Sequence, residues 1–318
     1  MKIGIIGCGR WGTFIGWYLD KTGHDVTIYG RSSSKNFNEL KTSRANSVLS
    51  LNDSTKLTDD LKEICSCEVI IISIGSQALR GLMKELKEYE LKDKIFCLCM
   101  KGLEQETGKR LSEIVEEESD PSNKIAVWLG PGHVQEFYHG VPNLMVIDSK
   151  DEHVKELLVR EFSGELIRFY YGDDLLGNEI GAAAKNVIGI AAGALDAMNI
   201  SSMKGALMSR GAREISRLIS VMGGNELSAY GLCHLGDYEA TVFSPFSHNR
   251  MFGELFVKGE KYDKLAEGYY TVKAIMLLKE QYNVDLPVCE AVYSVLYSGV
   301  SAEDAISKIF KRTLKAEF

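Results

Sequence analysis

No basic surplus marks this chain: 37 lysines and arginines stand against 44 aspartates and glutamates, a formal net charge of −7 over 318 residues. A nucleic-acid binder is expected to carry a cationic excess or stripe, so no nucleic-acid partner is expected. No apolar run approaches membrane-spanning length, and residues 1–5 already read as a strand, which leaves no room for a charged, apolar and cleavable leader. These absences make a cytoplasmic protein without a membrane partner the expectation. Metal-knuckle cysteine spacing is missing too. Of seven cysteines, Cys65 and Cys67, like Cys97 and Cys99, are one residue apart, too close for such a knuckle. They read as reduced structural thiols, and no metal site is expected. Alternation within 95–100 puts Cys97 and Cys99 on one face of a buried strand. Repeats, low-complexity tracts and a flexible linker are likewise absent. What is there is ordinary globular usage, 45% apolar and 25% charged, at a length that suits two domains.

Over residues 1–172, short apolar runs alternate with amphipathic stretches, the pattern of a parallel sheet covered by helices. Strands are expected at 2–6, 25–29, 68–73, 94–99, 125–129, 144–147 and 166–170, and helices at 11–21, 77–87, 108–118, 133–139 and 152–162. The acidic run 116–121 reads as a solvated helix end and turn. This is an α/β domain of the Rossmann-like, doubly wound kind. After Gly172 the texture changes. From 173 to 318 there is little β-like alternation, and 178–197, 202–222 and 269–281 carry apolar residues at helical spacing, so the second domain is expected to be all-α. Its glycine-bearing breaks at Gly223, Gly224, Gly231, Gly236 and Gly259 mark helix ends and loops.

Gly7-Cys8-Gly9-Arg10-Trp11-Gly12 is G-x-G-x-x-G, following a strand and opening a helix. In that context the glycines allow a tight turn and bring backbone amides and a helix N-terminus up to a pyrophosphate. A carboxylate for a ribose 2′-hydroxyl is missing at the end of the second strand. Tyr29-Gly30-Arg31-Ser32-Ser33-Ser34-Lys35 stands there instead, and Arg31, the serines and Lys35 suit a 2′-phosphate. NADP(H) is favoured over NAD(H).

Lys185 lies in a run of tiny and apolar residues, 179–193, with no close acidic partner at helical spacing. A buried ammonium without a partner costs several kcal/mol, so it either snorkels to the surface or serves proton transfer. Lys101 directly follows the strand at 94–99 and projects near the carboxyl end of the sheet, where ligands bind. Two lysines so placed suit a carbonyl/alcohol redox substrate that carries negative charge.

Together these segments resemble the bacterial-type NAD(P)-dependent glycerol-3-phosphate dehydrogenases, through 7–13, 101–108, Gly130-Pro131, 181–193, 209–214, 235–237, 247–253 and 267–269. The resemblance implies reduction of dihydroxyacetone phosphate to sn-glycerol 3-phosphate by NADPH or NADH, for glycerophospholipid synthesis, in a homodimer. It implies catalytic roles for Lys185, as proton donor and acceptor, Lys101 and Asp237. Substrate binding would fall to Lys101, Gly130, Asn186, Thr241, Ser247, His248 and Asn249. The dinucleotide would meet Gly7, Gly9, Arg10, Trp11, Gly12, Arg31, Lys101, Val134, His248 and Glu267. Asp237 would also be the negative partner that the 179–193 run does not offer Lys185. Two departures stand out. Gly132 replaces a hydroxyl-bearing residue, and Ser247-His248-Asn249 replaces Ser-Arg-Asn, leaving Arg250 or His133 to supply the missing charge. Two alternatives remain: a dehydrogenase of this fold acting on another small anionic ketone or hydroxy acid, and a non-catalytic NADP(H) sensor.

Overall fold

The structure, a computed structural model, describes residues 1–314 and 316–317. It divides into two compact units: Met1–Lys101 with Arg110–Glu179, and Gly102–Lys109 with Ile180–Phe318.

The first unit runs β1 (Lys2–Ile6), α1 (Arg10–Lys21), β2 (Asp25–Tyr29), α2 (Lys35–Ser43), β3 (Lys56–Thr58), α3 (Leu61–Cys65), β4 (Val69–Ile72), α4 (Leu79–Lys87), β5 (Ile95–Leu98), α5 (Leu111–Glu118), β6 (Lys124–Leu129), α6 (Val134–Tyr138), β7 (Asn143–Ser149), α7 (Glu152–Phe162) and β8 (Ile167–Tyr171). The sheet order is β3-β2-β1-β4-β5-β6-β7-β8. Strands β1 to β6 are parallel, whereas β7 pairs antiparallel with β6 and parallel with β8. The sheet is therefore mostly, not wholly, parallel. Connection 130–142, with only the five-residue α6, folds the chain back beside β6. The central strands are buried on both faces; Val69, Ile70, Ile71 and Ile72 are all at 0% exposure, which is why β4 reads as an unbroken apolar run. Cys97 and Cys99 are buried in β5 and directly after it, and burial pushes the Cys99 thiol well up; none of the seven cysteines is in a disulfide.

Three elements carry weak sequence signals. Strand β3 is three residues long, α3 five, and α2 buries only Phe37 and Leu40.

The second unit holds α8 (Leu175–Ala197) from Ile180 onward, α9 (Lys204–Val221), α10 (His248–Val257), α11 (Glu267–Tyr282), α12 (Pro287–Tyr297) and α13 (Ala302–Phe310). The first turn of α8 belongs to the first unit. Glu179 there accepts from the Arg110 guanidinium at 2.8 Å, the Ser112 amide at 2.9 Å and the Ser112 hydroxyl at 2.6 Å. Loop 102–109 belongs to the second, where Glu106 pairs with Lys273 at 3.0 Å. Contrary to the expectation that no apolar run has spanning length, α8 is long and apolar enough to cross a membrane; 78% of that stretch is buried within the protein, as in a core helix. Its small residues have a steric cause. A Cβ on Gly193 would stand 2.0 Å from the Arg250 carbonyl oxygen, and one on Gly253 2.1 Å from that of Ile190, so α8 and α10 meet backbone to backbone.

Glu214 of α9 is buried and accepts the Val288 and Cys289 amides, at 2.7 and 2.8 Å, at the start of α12. Burial pushes its carboxyl from 4.5 up to about 7, against the pull of those amides. A folded-state value above the unfolded one means that the folded protein holds a proton the unfolded chain has released. Glu214 is thus most favourable below pH 4.5, and the folded state loses that advantage as pH rises to 7. Relative to Glu214→Gln, wild-type unfolding free energy is expected to fall by about 3 kcal/mol between pH 4.5 and 8, because each pH unit crossed between the two values is worth about 1.4 kcal/mol. Urea titrations of both proteins across that range check it; parallel pH dependences defeat it.

Candidate active site

In the first unit, β1 delivers the chain into the glycine loop. Gly7 has φ +120°, and a Cβ there would lie 2.1 Å from the Ser73 carbonyl oxygen; one on Gly12 would lie 2.0 Å from the Gly7 oxygen. These two glycines close the turn. Gly9 differs: a Cβ there meets nothing within 4 Å, and Gly9 caps α1 with no side-chain hydrogen bond. The α1 N-terminus therefore faces open space with the positive end of its dipole, which suits a phosphate. Arg10 is exposed at the head of α1, whereas the half-buried Trp11 packs its indole 5.2 Å from Phe14 and 6.2 Å from Phe137, centroid to centroid. Beyond β2, Arg31, Ser32, Ser33 and Lys35 are exposed; the Ser34 hydroxyl is engaged as the α2 cap, accepting from the Phe37 amide. No carboxylate lies between Tyr29 and Lys35.

Lys101 follows β5 and donates from Nζ to the Gly130 carbonyl, at the end of β6, at 2.6 Å. Val134 is buried in the hydrophobic core. Gly132 has φ +144°, and a Cβ there would stand 2.2 Å from Phe137. The absence of a hydroxyl at this position thus goes with the Phe137 ring filling its place.

In the second unit, Lys185 and Asp237 are both buried, with Nζ 2.7 Å from Asp237 Oδ2. Nζ also donates to Thr241 Oγ1 at 2.8 Å, and that hydroxyl donates on to the Asp237 carbonyl at 2.7 Å. Burial is thus reconciled with charge by a partner from outside α8. The next residue, Asn186, accepts at Oδ1 from Asn249 Nδ2 at 2.9 Å, and Asn249 Oδ1 accepts the Gly268 amide at 2.9 Å. Asn186, Asn249 and the head of α11, where Glu267 is the first residue, are therefore tied together.

Ser247 caps α10 by accepting from the Arg250 amide at 3.3 Å. His248, half-buried, bonds through Nδ1 to the Tyr262 hydroxyl. Arg250 is not placed to supply a phosphate charge: its Nη1 donates to Asp196 at 2.6 Å and to Glu254 at 3.1 Å, and its Nε to the Ser244 carbonyl at 3.1 Å. Lys204 shares Asp196 at 2.7 Å. Sequence reasoning passed over His234 and Tyr238, both at 0% exposure beside Asp237; a histidine three residues before that aspartate was the available signal.

A dinucleotide loop in an α/β unit and a buried lysine–aspartate pair in a helical unit define a pyridine-nucleotide oxidoreductase. Residues 2–155 match the family model of the NAD-dependent glycerol-3-phosphate dehydrogenase N-terminus, and 174–307 that of its C-terminus. The chain belongs to the NAD-dependent glycerol-3-phosphate dehydrogenase family. It is 35% identical over 331 aligned positions to glycerol-3-phosphate dehydrogenase (NAD(P)+) of Fusobacterium nucleatum, covering 100% of this chain and 98% of that one. It is 32% identical to the protein of the same name from a Thermoanaerobacter species, over 100% and 99% of the two chains. Among solved structures, glycerol-3-phosphate dehydrogenase from Coxiella burnetii superposes with a TM-score of 0.90 at 26% identity, over 98% of this chain and 99% of that one.

Proposed function

We propose that this protein reduces dihydroxyacetone phosphate to sn-glycerol 3-phosphate with NADPH or NADH, reversibly, and that Lys185 carries the proton. The observation that carries this reading is the Lys185 ammonium, buried yet held by Asp237 and Thr241. The residues present fit a dinucleotide: the space beside Gly9 admits a pyrophosphate to the α1 amides, and Arg31 stands exposed for the adenosine end. When bound, the nicotinamide supplies the hydride. Lys185 donates a proton from Nζ to the oxygen that becomes the alcohol, and takes it back in oxidation. Asp237 holds and aims the ammonium, Asn186 orients substrate hydroxyls, Thr241, Ser247, His248 and Asn249 serve the phosphorylated end, and Lys101 binds substrate beside the nicotinamide. A sensor has no need of a proton donor, and relatives matching the whole chain are glycerol-3-phosphate dehydrogenases, which disfavours the other-anion reading too.

NADP(H) preference is part of the proposal, supported by Arg31, Ser32, Ser33 and Lys35 without a carboxylate among them. One matched assay tests both: NADPH and NADH consumption with dihydroxyacetone phosphate and with unphosphorylated ketones, for wild type and Arg31→Asp. The phosphorylated ketone should turn over, and Arg31→Asp should lower kcat/KM for NADPH by roughly 10- to 100-fold, the worth of a charge-assisted bond, while sparing NADH. Binding without turnover defeats the enzyme reading; an equal loss with both nucleotides defeats the role of Arg31.

The proposal extends to a cytoplasmic homodimer supplying glycerol 3-phosphate to glycerophospholipid synthesis. Seven cysteines with no disulfide among them support the compartment. An apolar hollow of about 220 Å³ in the second unit, lined by residues such as Ile190, Leu207, Val292 and Ile306, supports self-association. A single-chain mass by light scattering, or protein confined to the membrane fraction, counts against it.

A further inference from the structure

His234 commits both ring nitrogens. Nδ1 lies 2.8 Å from the Gly181 carbonyl oxygen and Nε2 2.7 Å from the Tyr238 hydroxyl. A carbonyl only accepts, so Nδ1 bears the proton and Nε2 accepts from Tyr238. Gly181 lies one helical turn before Lys185, in the acceptor position for the Lys185 amide. The His234 carbonyl in turn accepts the Asp237 amide at 3.0 Å. One residue therefore joins the helical turn that carries Lys185 to the short turn that carries Asp237. The fit leaves no slack: a Cβ on Gly181 would stand 2.9 Å from the His234 Cβ, and one on Gly211 3.2 Å from the Tyr238 oxygen.

We infer that His234, backed by Tyr238, is a positioning residue that sets how Lys185 and Asp237 face each other, and through them how the proton is presented. The inference rests on the dehydrogenase reading above. The imidazole acts as a neutral spacer: burial, aided by the charge of Lys185, pushes it down to about 4, so no second cation competes for Asp237 near neutral pH. General acid transfer depends on placement to within a fraction of an ångström, which a polar clamp at both turns provides and an apolar filler does not.

The test compares His234→Leu, which keeps bulk without a donor, with His234→Asn, whose Nδ2 takes the place of Nδ1, and with Tyr238→Phe. Leucine should lower kcat roughly 10- to 100-fold, with KM for dihydroxyacetone phosphate and NADPH within about twofold, as expected for a group that acts only in the transition state. Asparagine should restore most of kcat, and Tyr238→Phe should fall between. Wild-type kcat in the leucine variant, or asparagine as slow as leucine, overturns the inference. If leucine prevents folding, Tyr238→Phe and His234→Asn decide, and wild-type kcat in Tyr238→Phe overturns it. Wild type without turnover sinks the dehydrogenase reading instead, and carbamylation of Lys185 by cyanate, followed by mass spectrometry, then decides the positioning: faster labelling in His234→Leu than in His234→Asn supports it, and equal rates overturn it.

Discussion

Lys185→Met is expected to lower kcat by roughly a thousand- to ten-thousand-fold, the upper range for loss of a general acid, with NADPH affinity within about twofold of wild type. Affinity is spared because the ammonium is held by Asp237 and Thr241 in the helical unit, whereas the pyrophosphate is assigned to the glycine loop of the α/β unit. The same change should cost about 3–5 kcal/mol of stability, because Asp237 is left charged, buried and without its counter-ion. Loss of activity by catalysis must therefore be separated from loss by unfolding. The double variant Lys185→Met/Asp237→Asn does this: removing the orphaned charge should recover most of the stability and none of the turnover. Steady-state absorbance assays and urea denaturation of wild type, both single variants and the double variant read the two effects as one cycle. Turnover within tenfold of wild type in Lys185→Met refutes the proton role. A double variant as unstable as Lys185→Met refutes the ion-pair account of why this lysine can be buried.

The sequence made local features legible and left most non-local ones dark. The glycine loop could be read because its meaning is set by its neighbours, a strand before and a helix after. Lys185 drew attention because an ammonium among alanines conflicts with burial. The resolution of that conflict lies elsewhere in the chain, with Thr241 56 residues away and Asp237 in the same turn; Asp237 entered only through family resemblance. The small residues of 179–193 have their cause in the distant Arg250 carbonyl against Gly193. Arg250 itself looked available for phosphate, and its bonds to Asp196, 54 residues earlier, to Glu254 and to the Ser244 carbonyl remove it. Periodicity identified β7 as a strand but could not give its direction, which depends on the short connection from β6. His234 stands three residues before Asp237, but that spacing alone does not show a neutral ring bonded to the Gly181 carbonyl, 53 residues earlier in the chain.

Gly9→Val should weaken NADPH binding by about 100-fold while leaving the stability of the free protein within about 0.5 kcal/mol of wild type. Gly9 has φ −73° and ψ 179°, a conformation open to any residue, and a Cβ there touches nothing within 4 Å. The free fold therefore leaves room for a Cβ at this position, whereas a phosphate approaching the α1 amides does not. Gly7→Val, two residues earlier, should behave in the opposite way. Its φ of +120° alone disfavours a β-branched residue by about 1–3 kcal/mol, and the Cβ would drive into the Ser73 carbonyl at 2.1 Å. That variant should lose several kcal/mol of stability before any nucleotide is added. Thermal denaturation without ligand, paired with fluorescence titration by NADPH, separates the two cases. If Gly9→Val binds NADPH as wild type does, the open space at the head of α1 is not where the pyrophosphate lies, and the first unit must hold the dinucleotide by another surface.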